Sequence, residues 1–141
     1  MSWFAAHLIM SVKLKGKRQR RFPVWENIVV IEADSEKQAM VKAERRGRLE
    51  EGDDDGTFTW GGQPATWVFA GVRKLTQCED SESRPSDGTE VSYLEFELES
   101  QEAVRKFVGG QQVPLRTNER FRDGERTKGV EISNRHQRKP A

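Results

Sequence analysis

The chain has 141 residues, of which 33% are charged and 34% apolar in the broad sense, and its 24 Lys and Arg against 23 Asp and Glu leave a net charge of +1. It has no apolar run long enough to span a bilayer as a helix, and with one cysteine (Cys78) and two histidines (His7, His136) it has neither an internal disulfide nor the ligands of a thiolate or histidine-rich metal site. The apolar residues are unevenly spread. Only six lie in residues 109–141, so residues 1–108 are about 39% apolar, enough for one modest core.

Residues 3–14, WFAAHLIMSVKL, alternate with period two. Phe4, Ala6, Leu8, Met10, Val12 and Leu14 make one face, and Trp3, Ala5, His7, Ile9, Ser11 and Lys13 the other, which predicts a strand. The run KGKRQRR follows, with Gly16 as the turn residue. A second strand is predicted at about 22–33, where Ile28, Val29, Val30 and Ile31 are β-branched. The pair reads as a hairpin with a basic tip. Ser35 and Gln38 form a capping box, predicting a helix at about 36–48. Ala39, Met40, Ala43 and Gly47 give that helix a narrow stripe of small residues, suited to close packing on a sheet, and Gly47 or Gly52 is the expected stop.

After the acidic loop EEGDDDG, Phe58 and Trp60 suggest a short strand. ATWVFAGVRKL at 65–75 is apolar at both parities, which predicts a central strand. Residues 76–88 are loop by composition, residues 89–98 alternate like a strand, and residues 100–108 read either as a short helix with Ser100 as its cap or as an extension of that strand. Beyond Gly109-Gly110 the chain is polar and aperiodic, with eight Lys and Arg against four acids, and reads as a flexible basic tail. By difference residues 1–108 carry −3. The expected organisation is an α+β domain over 1–108, followed by a tail over 109–141. Its sheet is mostly antiparallel, of four to five strands in β-β-α-β-β order, with one helix packed across one face.

Four segments carry a resemblance to a known family: the WFAAHLI strand, ENIVVIEA followed by SEKQA, WVFAGV, and DGTEV. In order and spacing they resemble the bacterial domain of unknown function 4288 over about residues 2–97. The resemblance implies a small cytoplasmic bacterial protein with no assigned activity and brings no catalytic residues with it.

Several residues could carry chemistry. His7 is either a structural strand residue or a general base, and Glu26 or Glu32 could orient its ring from across the hairpin. Glu26 and Glu90, near His7, would complete a polar pocket. Cys78 stands among acids that raise its pKa and reads as a solvated spare thiol. The acidic run at 50–55 lacks the spacing of a calcium loop. The hairpin tip places six cations (Lys13, Lys15, Lys17, Arg18, Arg20, Arg21) in nine residues beside Phe22 and Trp25, a pattern able to track phosphates and stack a base. Trp67 is expected in the core, and Trp3, Trp25 and Trp60 on the second sheet face with Ile9 and Val29.

Three functions follow as expectations. The first is a non-enzymatic protein-binding module of the accessory, regulatory or immunity kind, motivated by the missing catalytic motifs and the many tryptophans. The second is a nucleic-acid-associated protein using Lys15, Lys17, Arg18, Arg20, Arg21 and Trp25, together with the tail. The third is a small enzyme with His7, Glu26 and Glu90 in one pocket. The reading leans away from an enzyme and expects no cofactor, no metal and no membrane, but a protein partner.

Overall fold

A computed structural model describes residues 1–16 and 18–117 and the backbone of Val130–Ser133. The chain divides into two compact units, Met1–Ser92 and Tyr93–Ala141. The boundary falls ahead of the one expected at 108/109.

In the first unit, β1 (Ser2–Leu14), β2 (Val24–Ala33), α1 (Glu36–Leu49), β3 (Thr59–Trp60) and β4 (Gln63–Gln77) form a four-stranded antiparallel sheet in the order β2-β1-β4-β3 with one helix. The α+β class read from the sequence is the class observed. β1 is interior, and both its faces are buried from Phe4 to Leu8. On one face, Phe4, Ala6 and Leu8 pack with Ile31, Val72, Ala39 and Ala43, so α1 covers this half. Along the same face Val12 packs with Trp25, Trp60, Trp67 and Ala65.

Ser35 caps α1 by accepting the Gln38 N–H at 3.0 Å, and Gln38 Oε1 accepts the Asp34 N–H at 2.6 Å. The helix runs two residues past Gly47. Gly47 is therefore no stop. A Cβ there would lie 2.3 Å from the Phe69 ring, so only glycine lets the helix approach β4 this closely.

β4 is out of phase with β1 at two places, between His7 and Leu8 and between Ile9 and Met10. The extra residues on β4 are Arg73 and Ala70. Each bulge flips the alternation. Phe69, Val72 and Leu75, three apart in sequence, therefore sit opposite Met10, Leu8 and Ala6 on the helix side. Gly71, beside the first bulge, has φ +147°, in the region that favours glycine.

The tryptophan expectation is corrected. Trp25 stands opposite Met10 and Trp67 opposite Val12, so both lie on the helix side. Trp25 contacts Trp60 edge-on at 5.6 Å and Trp67 at 4.9 Å between ring centroids. Val29, opposite Ala6, packs on the same side. Period two fixes which residues share a face within a strand, but not which face of a neighbour they join.

In the second unit, β5 (Phe96–Glu97), β6 (Pro114–Thr117) and β7 (Val130–Ser133) form an antiparallel sheet, with α2 (Gln101–Val108) between β5 and β6. Ser100 caps α2 by accepting the Ala103 N–H at 3.1 Å. Phe96 meets Phe107 edge-on at 5.3 Å. The strand expected at 89–98 shrinks to β5, because an alternating pattern makes a strand only where a neighbour completes the ladder, and β6 pairs with Phe96 and Glu97 alone. The stretch expected as a tail contributes β6 and β7. Residues 118–129 and 134–141 lie outside the described residues.

Candidate functional site

The face of β1 opposite the helix carries the polar cluster. His7 projects from the centre of the sheet and is fully buried. Its Nδ1 lies 2.7 Å from Glu26 Oε2 on β2, and its Nε2 2.5 Å from Ser92 Oγ. The chain brings Ser92 there by turning back after β4. Cys78 N–H donates to the Trp3 carbonyl and Trp3 N–H to the Ser81 carbonyl, and Glu79 N–H then donates to the Glu90 carbonyl at 3.0 Å. The bulge re-aims Arg73, whose Nη1 stands 3.5 Å from the same Glu26 oxygen. The hydrogen bond to His7, and the nearby Arg73 charge, hold the Glu26 carboxyl below its usual range against the opposing effect of burial.

Sequence reasoning places His7 and Glu26 together correctly, across the hairpin. It misplaces the third member. Glu90 is exposed and its carbonyl is engaged with Glu79, while Ser92, two residues on and of the same parity, reaches the imidazole. The only sequence signal for Ser92 was that shared parity.

Serine, histidine and glutamate in this order are the parts of a nucleophile, a base and its orienting group. Here the ring has both nitrogens engaged and no solvent exposure. A cleft of about 320 Å³ beside the start of α1, lined by Phe4, Asp34, Ser35, Leu75 and Thr76 among others, includes none of the three. The arrangement satisfies a buried polar ring from two directions and fastens the return segment to the sheet.

Gln19 ties the described residues of the basic tip together. Gln19 donates to the Val12 and Arg21 carbonyls at 2.8 and 2.9 Å and accepts the Leu14 N–H at 3.0 Å. Lys15 Nζ meets Asp53 Oδ2 at 2.5 Å, which, with the Gly56 N–H on the same carboxylate, lowers the Asp53 pKa. The acidic loop is thus joined to the tip. Lys13, Arg18, Arg20 and Arg21 are exposed, and Lys17 lies outside the described residues. Trp25 is only 8% exposed and offers no stacking face, so the exposed aromatic is Phe22, at 58%. Cys78 is buried, and burial itself raises its thiol pKa. Among the described residues no three His, Cys, Asp or Glu side chains gather as metal ligands, and no helix is long and apolar enough to cross a membrane.

The third feature is an edge. β2 is the outermost strand of its sheet. Val24, Ile28 and Val30 alternate on the His7 face of that strand and are 50%, 46% and 45% exposed.

A family model described as a domain of unknown function, DUF4288, matches residues 3–92. The chain belongs to the DUF4288 family. The match ends where the first compact unit ends, so the DUF4288 domain is the four-stranded sheet with α1 and the return segment that carries Ser92. No curated protein and no solved structure matches the chain at a significant level.

Proposed function

We propose that this DUF4288 protein is a non-enzymatic protein-binding module, of the accessory or regulatory kind, which docks its partner on β2. The supporting observation is the exposed row Val24, Ile28 and Val30 on an outermost strand ten residues long. Burying β-branched side chains against a partner supplies affinity, and strand addition satisfies the open backbone groups of the edge and fixes the register. Ile28→Lys or Val30→Lys weakens partner retention by about tenfold or more, as expected for charge placed at the centre of an apolar contact. Val41→Lys, at an exposed position of α1, leaves it unchanged. Retention on a partner affinity matrix measures this, and equal retention of all three variants would rule the reading out.

A second reading has its own support. Lys13, Arg18, Arg20 and Arg21 are exposed close in sequence to the exposed Phe22. This suits a single-stranded nucleic acid held by phosphate contacts and one stacked base. Replacing Arg18, Arg20 and Arg21 with Gln reduces the salt dependence of binding to a single-stranded oligonucleotide. An unaltered salt slope removes this reading.

A further inference from the structure

We propose that the strand docking on β2 is β2 of a second copy of this chain, paired antiparallel about a two-fold axis so that two four-stranded sheets become one of eight. This rests on the docking reading above and names its partner.

The hydrogen-bond pattern fixes which groups of β2 face outward. Val12 N–H donates to the Pro23 carbonyl, whereas Trp3 spends its N–H and carbonyl on Ser81 and Cys78, on the other side of β1. Even-numbered residues of β1 therefore bond to β2, and in the observed register their partners are the odd-numbered residues of β2. Val24, Glu26, Ile28, Val30 and Glu32 turn their N–H and C=O away from the sheet. The Glu32 carbonyl accepts Lys42 Nζ at 2.6 Å, which covers one end of the row.

Edge strands are normally blunted by shortness, proline, lysine or a bulge. At the far edge β3 is two residues long, and past it Phe58, Gly52 and Glu51 bond the outer backbone of β4 at Ala65, Trp67 and Phe69. β2, by contrast, is ten residues, VWENIVVIEA, without Pro, Gly, Lys or Arg, and its register with β1 is unbroken over ten pairs.

The edge is also complementary to itself. A two-fold interface sets each residue against a copy of the same strand. Only the even-numbered residues turn outward, so the allowed registers centre on one residue of β2. Centring on Glu26 sets Glu26 against itself, on Val29 sets Glu26 against Glu32, and on Val30 sets Glu26 against Asp34 just past the strand. Centring on Asn27 opposes Val24 to Val30 twice and Glu26 to Ile28. Centring on Ile28 opposes Ile28 to itself and Glu26 to Val30. In both of these the acids face apolar residues, and the Glu26 carboxylate is already engaged by His7 and approached by Arg73. Either pairing removes both β2 edges from the joined sheet.

The test uses the full purified chain. Sedimentation is measured for wild type, Ile28→Lys and Val30→Lys, and a photoreactive phenylalanine at position 30 reports the neighbour. Wild type sediments as a dimer, both lysine variants as monomers with unchanged near-ultraviolet circular dichroism of the tryptophan cluster, and the photoproduct has twice the chain mass with its link inside residues 24–33 of the other copy. A monomeric wild type, or dimers that survive both lysine substitutions, would overturn the self-pairing. In host extract the same photoreactive chain separates that failure from failure of the docking reading. A link to a different protein refutes the second copy and leaves docking on β2 intact. A link within the chain to residues 118–141 refutes both.

Discussion

The two faces of β1 are both buried, but by different means. The helix side is closed by shape. Small residues on α1 and the tryptophan cluster fill the space over Phe4 to Val12 with apolar atoms. The opposite side is closed around His7 by directed polar contacts from Glu26 and Ser92. A face closed by shape is sensitive to volume, whereas a face closed by hydrogen bonds is sensitive to partner loss and to pH.

The largest effect is expected on the helix side. Leu8 is 1% exposed, and Leu8→Ala lowers stability by about 2–5 kcal/mol through lost burial and a residual cavity, read as a fall in the urea midpoint with an unchanged slope. Gly47→Ala comes next. Alanine in a helix interior is worth up to about 1 kcal/mol over glycine. Against that, a Cβ 2.3 Å from the Phe69 ring forces a shift that costs about 1–3 kcal/mol. Net destabilisation, relieved in the Gly47→Ala/Phe69→Ala pair relative to the sum of the single changes, confirms that the clash is with that ring. A stabilised single variant would contradict it.

On the polar side, Ser92→Ala leaves one nitrogen of a buried imidazole without its partner and costs about 1–2 kcal/mol by thermal or urea unfolding. Removing the hydroxyl without effect would mean that the return segment is not held through it. The Glu26 carboxyl gives the pH dependence. Its folded pKa lies below 4.5, the ordinary value for the unfolded chain, so the unfolded state binds the proton more readily. The stability it contributes is complete above that ordinary value and is lost as pH falls through the lower folded value. Glu26→Gln therefore flattens the acid limb of the stability curve, and an acid limb as steep as that of wild type would disprove the assignment. The smallest effect returns to the helix side. Trp25 Nε1 is buried and has no hydrogen-bond partner among the described residues, so Trp25→Phe relieves an orphaned donor while it removes packing area. The two contributions oppose each other and leave the unfolding midpoint little changed.

What the sequence made legible follows the same division. The hairpin of β1 and β2, the Ser35 and Ser100 caps, the short strand at Trp60 and the meeting of His7 with Glu26 all follow from local periods and pair distances. The double apolar parity of β4 predicted an interior strand, and β4 is interior. Its cause is different, because two bulges rotate Phe69, Val72 and Leu75 onto one face and leave Ala70 exposed. Bulges leave no compositional mark apart from Gly71. Ser92 was illegible for another reason: its partner lies 85 residues away, and no period connects them. Cys78, expected in solvent among acids, is buried because its backbone extends the ladder opposite Trp3.

That separation also bears on how the domain folds. The hairpin and α1 need only short loops to close and can organise early, whereas the contact of Ser92 with His7 must close most of the DUF4288 domain into one loop. The clasp therefore belongs to the last step of assembly. Ser92→Ala should speed unfolding and leave the folding rate nearly untouched, as expected for an interaction absent from the transition state. The polar side of β1 thus acts as a latch that sets how long the finished fold persists.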